Sequence, residues 1–272
     1  MGDLHAGAIR PERLKRVLDD VRSLPAPALH LQIGDATEHG VPEQDAVARD
    51  WLARLPGPWR TVLGNHDIMA GRRSVTDWAR AYGVRGQNFV VDLPFVRLIA
   101  VGPAGAGEGR ESGLLTPDTL EWLARRLDGS PRGCWIACHW PLRDTVGGNP
   151  RRLFTSRMVA FHAKPDRELR ELLAGQPNAR AWLSGHTHSP LGAPGLVSRV
   201  RLTRGRRILA VNLSALVGVG KRRDVTDPLR SIYLTRRPGR LEVRFRDHGE
   251  RRWLRVGRET VLAVDDVLRG DL

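Results

Sequence analysis

Along the chain, apolar positions fall into short strand-like runs that alternate with helix-like ones. Leu14, Val17, Leu18 and Val21 recur at helical spacing, so residues 11–24 read as an amphipathic helix with Pro11 in its first turn. Residues 28–33 (ALHLQI) and 59–63 (WRTVL) read as strands, each running into a glycine-containing loop, with a helix over residues 43–55 between them. A helix near residues 75–82 follows, then paired strands over 89–93 and 95–101, and a helix over 116–127 opened by Thr116-Pro117. Residues 134–138 (CWIAC) and 181–184 (AWLS) are two more apolar strands, separated by a helix around 167–173. Beyond Pro190 the pattern becomes all-β: strands are expected over 196–202, 208–213, 232–235 and 241–245, the last two joined by a turn through Pro238-Gly239. The glycine- and proline-rich stretch over residues 102–113 reads as a surface loop beside the crevice.

This alternation predicts an α/β fold, and 272 residues with 41% apolar content can bury the core of one large domain. The expected division is one domain over residues 1–250 and a C-terminal tail over 251–272. No run approaches the roughly 18 apolar residues of a membrane span, and no leader-like segment opens the chain, so the expected location is cytoplasmic. Cys134 and Cys138 share one apolar segment and suit a buried strand better than a disulfide or a thiolate metal knot. The formal charge of +14 is almost entirely arginine, since lysine occurs only at 15, 164 and 221. Its excess concentrates in residues 191–272, with 19 Lys/Arg against 9 Asp/Glu. Such a surface attracts phosphates of any origin, so it does not name a nucleic acid as partner. No specific nucleic acid and no membrane is expected.

The chemistry lies in five short islands, each in a loop just after a strand-like run: Gly2-Asp3-Leu4-His5, Gly34-Asp35, Gly64-Asn65-His66-Asp67, Cys138-His139-Trp140-Pro141 and Gly185-His186-Thr187-His188. Loops at the carboxyl ends of strands in an open α/β sheet converge on one crevice, which brings distant residues together. Asp3, His5, Asp35, Asn65, His139, His186 and His188 offer carboxylate, imidazole and one amide oxygen but no thiolate. That donor set suits Mn, Fe, Zn or Mg, with Mn favoured. Seven donors with one shared carboxylate fill a pair of ions about 3.5 to 4 Å apart better than a single ion. His30, His162 and His248 read as core or surface histidines, and His39, four residues past Asp35, as a solvated loop residue with substrate contact as the alternative. The tryptophans at 51, 59, 78, 122, 135 and 182 fall on apolar faces, while Trp140 is placed to wall the crevice.

The order D-x-H, G-D, G-N-H-D, H, G-H-x-H resembles the signature of the calcineurin-like metallophosphoesterase superfamily over residues 2–188, and each island alone is far weaker than the five in order. The resemblance implies an αββα sandwich: two sheets flanked by helices, with the β-rich remainder as the second sheet. It implies Asp3, His5 and His188 on one metal, Asn65, His139 and His186 on the other, and Asp35 bridging. It also implies His66 as the group that protonates the leaving group or stabilises the charged phosphate, with Asp67 orienting its imidazole. Position 38 is glutamate, which removes the iron-binding tyrosine of purple acid phosphatases. The GDATEHG segment lacks the Asp-Arg-Gly of Ser/Thr protein phosphatases. The pattern is most similar to the bacterial cyclic-nucleotide phosphodiesterase-like branch, which implies phosphodiester hydrolysis of a small-molecule substrate. A phosphomonoesterase, or an inactive metal-binding scaffold with a basic nucleic-acid-binding tail, are the rival readings. Finally, the family's first central strand should precede Asp3, yet only Met1 and Gly2 stand there, so the loop carrying Asp3 and His5 is expected to fray.

Overall fold

A computed structural model describes residues 1–71, 73–103, 113–147, 156–157, 161–189, 191, 193–213, 216, 229–238, 240–255 and 262–265. The first helix, α1 (Pro11–Arg22), starts at a proline and turns Leu14, Val17, Leu18 and Val21 inward. It leads to β1 (His30–Gln32), α2 (Pro42–Ala53), β2 (Trp59–Thr61), a 3-10 turn over His66–Gly71 and α3 (Val75–Ala81). Then come β3 (Phe89–Asp92), β4 (Arg97–Ala100), α4 (Pro117–Asp128), β5 (Cys134–Ala137), α5 (Asp166–Gly175), β6 (Ala179–Ser184), β7 (Val197–Arg201) and β8 (Arg207–Asn212). The last four elements are β9 (Arg230–Arg237), β10 (Arg240–Asp247), β11 (Arg252–Leu254) and β12 (Leu262–Asp265). Side-chain caps fix two of the helix starts: Ser74 accepts from the Asp77 amide ahead of α3, and Thr116 from the Thr119 amide ahead of α4.

Six strands form one sheet in the order β3-β4-β5-β6-β8-β7, parallel from β4 through β8 and antiparallel at both edges. β1 and β2 pair in parallel, and β9 to β12 make an antiparallel sheet around β10. Alternation along the strands assigns the faces. Leu98, Trp135, Ala137, Leu183, Leu209 and Val211 meet Leu241, Val243 and Phe245 of β10 in a core between sheets. Ile99, Cys134, Ile136 and Trp182 face the other way, against Leu123 and Leu127 of α4 and Leu169 and Leu173 of α5. A third cluster joins α1, α2 and α3 through Leu18, Trp51, Leu52 and Trp78. The result is the expected two-sheet sandwich with helices on its outer faces. Both cysteines are buried and unbridged, and no helix among the described residues is long and apolar enough to cross a membrane.

Two features differ from the sequence expectation. Residues beyond 250, read as a tail, contribute β11 and β12, both paired with β10. The start of the chain also does not fray. The Met1 ammonium donates to the Leu31 carbonyl at 2.8 Å, the Ile33 amide donates to Met1 O at 2.9 Å, and the Leu216 amide reaches Gly2 O at 3.3 Å. The next residues are tied to the Asp35 loop, with the His5 amide on Asp35 O and the Ala6 amide on Ala36 O, both at 2.9 Å. The expected loop at residues 102–113 lies largely outside the described residues.

One polar network links α1 to the second sheet. Asp20 is fully buried and accepts from Arg246 through Nε (2.9 Å) and an η nitrogen (2.6 Å), and from His248 Nδ1 at 2.8 Å. Burial opposes the Asp20 charge, but the hydrogen bonds from Arg246 and His248 outweigh it and hold the carboxyl below its usual value. A carboxylate with a depressed folded pKa stabilises above its unfolded pKa and loses that contribution as pH falls through the folded value. Asp20→Ala is therefore expected to cost about 3 to 5 kcal/mol by leaving Arg246 buried without its partner. The variant should also lose the part of the wild type's acid transition that lies below the ordinary carboxylate pKa. Denaturant melts of both proteins from neutral pH down to pH 3 measure both effects; superimposable stability curves would refute the assignment.

Candidate metal centre

The five islands meet at one end of the sheets. Asp3 and His5 follow the Met1-Gly2 segment, Asp35 follows β1, Asn65 and His66 follow β2, His139 follows β5, and His186 and His188 follow β6. All seven predicted ligands are brought together, and His188 is the least buried of them, its side chain being 12% exposed. Their donor atoms form two groups that share Asp35. Asp3, His5, Asp35 and His188 make one, Asp35, His139 and His186 the other, each with ligand atoms within 4.8 Å of one another. Asn65 Oδ1 joins the second at 3.1 Å from His139 Nε2, which also lies 3.1 Å from His186 Nδ1 and 3.3 Å from Asp35 Oδ2. In the first group His5 Nε2 lies 3.3 Å from His188 Nε2, and His188 Nε2 3.6 Å from Asp3 Oδ1.

The backbone is bent to reach this arrangement. Among the described residues eight non-glycine positions have positive φ, and five of them are Asp3, His5, Asp35, His186 and His188. Left-handed backbone costs a non-glycine residue of order 1 to 3 kcal/mol, and its concentration on five ligands marks strain held for the site. Two glycines permit the close approach. Gly34 has φ +93°, and a Cβ there would fall 2.4 Å from His139 Nδ1; one on Gly64 would fall 2.2 Å from the Asp35 amide nitrogen.

Polar contacts orient the donors. His139 Nδ1 bonds the Ile33 carbonyl at 2.8 Å, which turns Nε2 toward the shared carboxylate. His5 Nδ1 lies 2.8 Å from Glu38 Oε2, turning its Nε2 toward Asp3 and Asp35. Asp35 Oδ1 accepts the His66 amide at 2.9 Å, leaving Oδ2 to the ligand cluster. Asp3 Oδ1 takes the His186 amide at 3.2 Å, whereas Asp3 Oδ2 is buried with no hydrogen-bond partner among the described residues. An orphaned carboxylate oxygen at the convergence of imidazole nitrogens fits a cation, so the residues present suit the implied metals.

Electrostatics divide the carboxylates. Burial pushes Asp3 up to about 6. Burial opposes ionisation of Asp35 as well, but His139 and the neighbouring imidazoles prevail and hold it well below the ordinary value. His139 responds in kind: burial resists its charge, Asp35 outweighs burial, and its pKa rises to about 9. Burial, then the nearby His5, hold His188 well below the usual imidazole value, so it presents a lone pair.

His66 is half-buried, edge-on to His5 with ring centres 4.7 Å apart. Asp67, expected to orient this imidazole, accepts no hydrogen bond from it. The His66 Nδ1 partner is the Glu38 carbonyl at 2.8 Å. Asp67 turns away from the ring to accept the Thr37 amide (3.0 Å), the Thr37 hydroxyl (3.1 Å) and the Gly64 amide (2.9 Å), because its 3-10 turn directs the carboxylate back into its own loop and that of Thr37. Burial and the adjacent Asp35 raise Asp67 to about 6. Glu38 is the residue that motif reading passed over: its side chain meets His5 and its carbonyl meets His66. Its place in GDATEHG, three after Asp35, was the available signal. His39 is exposed, and Trp140 is fully buried behind the rings of His139 and His186, at 5.0 and 5.4 Å between centres.

A crevice of carboxylates and imidazoles at the strand ends of an αββα sandwich is a metal-centre architecture of hydrolases. The calcineurin-like phosphoesterase profile matches residues 1–190, and the chain belongs to that family. It is 28% identical over 182 residues to a probable cyclic nucleotide phosphodiesterase of Synechococcus; the match covers 67% of this chain and 66% of that protein, just under two thirds of its length. In fold it is similar to a dimetal phosphatase from Danio rerio, with a TM-score of 0.59 over 93% of this chain and 88% of that one, at 14% identity.

The packing around Gly64 generates a test. Gly64→Ala drives a methyl into the Asp35 backbone, which should displace the shared carboxylate and destabilise the fold by about 1 to 3 kcal/mol. Metal content by mass spectrometry should fall for both donor groups together. Undiminished stoichiometry with an unchanged melting temperature would contradict the close approach.

Proposed function

We propose that this chain hydrolyses phosphodiesters of small molecules, using two divalent cations, Mn preferred, held by Asp3, His5 and His188 on one side and Asn65, His139 and His186 on the other, with Asp35 common to both. The observation that carries the reading is the Asp35 carboxylate: Oδ2 lies 3.3 Å from His139 and 3.8 Å from His5, one oxygen facing both donor groups. Cations held there would supply Lewis acidity and the capacity to activate water as a nucleophile. The protein's own contribution is positioning. Ile33 O fixes the His139 tautomer, the Glu38 carboxylate lies 2.8 Å from His5 Nδ1, and the strand-end loops hold the donors in place. His66 donates its Nδ1 proton to the Glu38 carbonyl, so its Nε2 is the atom left to protonate the leaving oxygen. The diester preference is supported by the name of the Synechococcus relative.

Chelated protein should show no turnover, and Mn should restore it better than Mg, Zn or Fe, with bis-p-nitrophenyl phosphate cleaved faster than p-nitrophenyl phosphate. Full activity in excess EDTA would sink the metal reading, and the reverse substrate preference the diester reading. Asp35→Ala should lose metal, whereas His66→Ala should keep it and lose turnover by roughly 10² to 10⁴. Equal metal loss in the two variants would place His66 among the ligands instead. Glu38→Gln should weaken metal affinity about 10- to 100-fold, as loss of a carboxylate behind a ligating histidine does. Titration calorimetry with Mn measures this, and unchanged affinity would make Glu38 a bystander.

A further inference from the structure

In the six-stranded sheet β5 and β6 lead into candidate ligands, but the parallel strand beside them, β8, ends at Asn212, a buried amide paired with Ser184 at the end of β6. This amide stands against the Gly185-His186-Thr187-His188 turn. Its Nδ2 donates to the Gly185 carbonyl at 2.8 Å and to Ser184 Oγ at 3.2 Å, and its Oδ1 accepts the Thr187 hydroxyl at 3.0 Å. A carbonyl cannot donate, so the Gly185 oxygen fixes which end of the amide faces it. Thr187 Oγ1 also lies 2.8 Å from Ser189 Oγ, and since the Thr187 proton goes to Asn212, Ser189 is the donor there. A buried chain of hydrogen bonds thus runs from Ser189 through Thr187 to Asn212 and ends on the main chain of the turn.

The turn is one that needs holding. The Thr187 amide bonds Gly185 O at 2.8 Å, an i to i+2 contact around His186 with φ +67°, and a γ-turn with positive φ is the rare and strained form. His188, two residues on, has φ +45°. Two donors therefore converge on the Gly185 oxygen, Thr187 from within the turn and Asn212 from the neighbouring strand. The two histidines serve different donor groups: His188 stands with Asp3 and His5, and His186 with His139, and both groups include Asp35. Thr187 alone separates them in the chain. Whatever holds Thr187 and the Gly185 carbonyl sets how far apart the two groups stand.

We propose that Asn212, acting through Thr187 and Gly185, is the positioning residue that fixes the separation of the two donor groups, an inference that rests on the two-cation reading above. Its side-chain bonds go to a main-chain carbonyl and to two hydroxyls. Removing them leaves every ligating atom in the protein and changes only where His186 and His188 are held.

The full chain is compared with Thr187→Val, Thr187→Ser and Asn212→Asp by titration calorimetry with Mn and by the spin exchange between paired Mn ions in electron paramagnetic resonance. Thr187→Val loses the hydroxyl at nearly constant shape, Thr187→Ser retains it, and Asn212→Asp keeps the acceptor for Thr187 but sets a carboxylate oxygen against Gly185 O. Thr187→Val and Asn212→Asp should weaken both Mn binding steps about 10- to 100-fold and alter the exchange signal, as loss of partners behind a metal site does. Thr187→Ser should keep both properties. A lower melting temperature with Mn affinity and exchange unchanged would make the amide a structural tie and overturn the proposal, and so would a loss confined to one Mn. Should Thr187→Val fail to fold, Asn212→Asp decides on the same two readouts. A wild type that takes up fewer than two Mn would instead overturn the two-cation reading, and this inference with it.

Discussion

Three carboxylates, Asp3, Asp35 and Asp67, are buried almost completely in one crevice, and the rest of the site is organised around keeping them there. An isolated buried carboxylate is too costly to persist charged, so each must be neutralised or compensated. Among the described residues every ion pair of Asp3 and Asp35 is with an imidazole. Asp67 is compensated by two amides and a hydroxyl. Histidine compensates only when protonated, and His188 is held neutral. The protein groups alone therefore satisfy Asp35 and leave Asp3 raised to about 6. A donor set so short of positive charge is complementary to cations, and that complementarity explains why the strained loops are maintained.

The strain has an architectural source. A parallel strand ends by turning its chain out of the sheet, and a ligand must sit within a residue or two of that point to face the crevice. Asp35 manages this with φ +55° directly after Gly34 at +93°, and His186 with +67° directly after Gly185. The left-handed turn points the side chain back across the strand ends, where an extended residue would point into a sheet face. Main-chain bonds from His5 and Ala6 to the Asp35 loop then hold two such turns against each other.

The candidate ligands were legible in the sequence as a cluster because they are particular side chains at strand ends, and both signals are local. Element positions were legible for the same reason: helical spacing in residues 11–24 and the apolar runs at 134–138 and 181–184 admit few readings. What was not legible depends on direction in space. Asp67 follows His66 directly, and no spacing rule says that its carboxylate turns to Thr37 and Gly64 while the main-chain carbonyl of Glu38 meets the ring. His248 read as an ordinary core or surface histidine because its partners lie 228 and 17 positions away. β11 and β12 were missed because their pairing with β10 is a tertiary fact, and the arginine-rich stretch around them carries little apolar alternation.

The same arginines bear on what a charge of +14 means. In the second sheet they are largely committed to contacts within the fold. Arg246 is buried against Asp20, Arg237 and Arg240 both bond Glu242, and Arg244 stacks over Trp253 with its guanidinium carbon 3.8 Å from the ring centre. Arg206 donates to four backbone carbonyls, those of Leu173, Gln176, Pro177 and Ala179, which close the C-terminal end of α5. A planar guanidinium can stack, fork and cap at once, which an ammonium cannot, and in these places the arginine does structural work that lysine would not replace. Among the described residues of 191–272 much of the basic excess is therefore the mortar of a sheet whose outer face is polar, and formal charge overstates the free cationic surface that these arginines present.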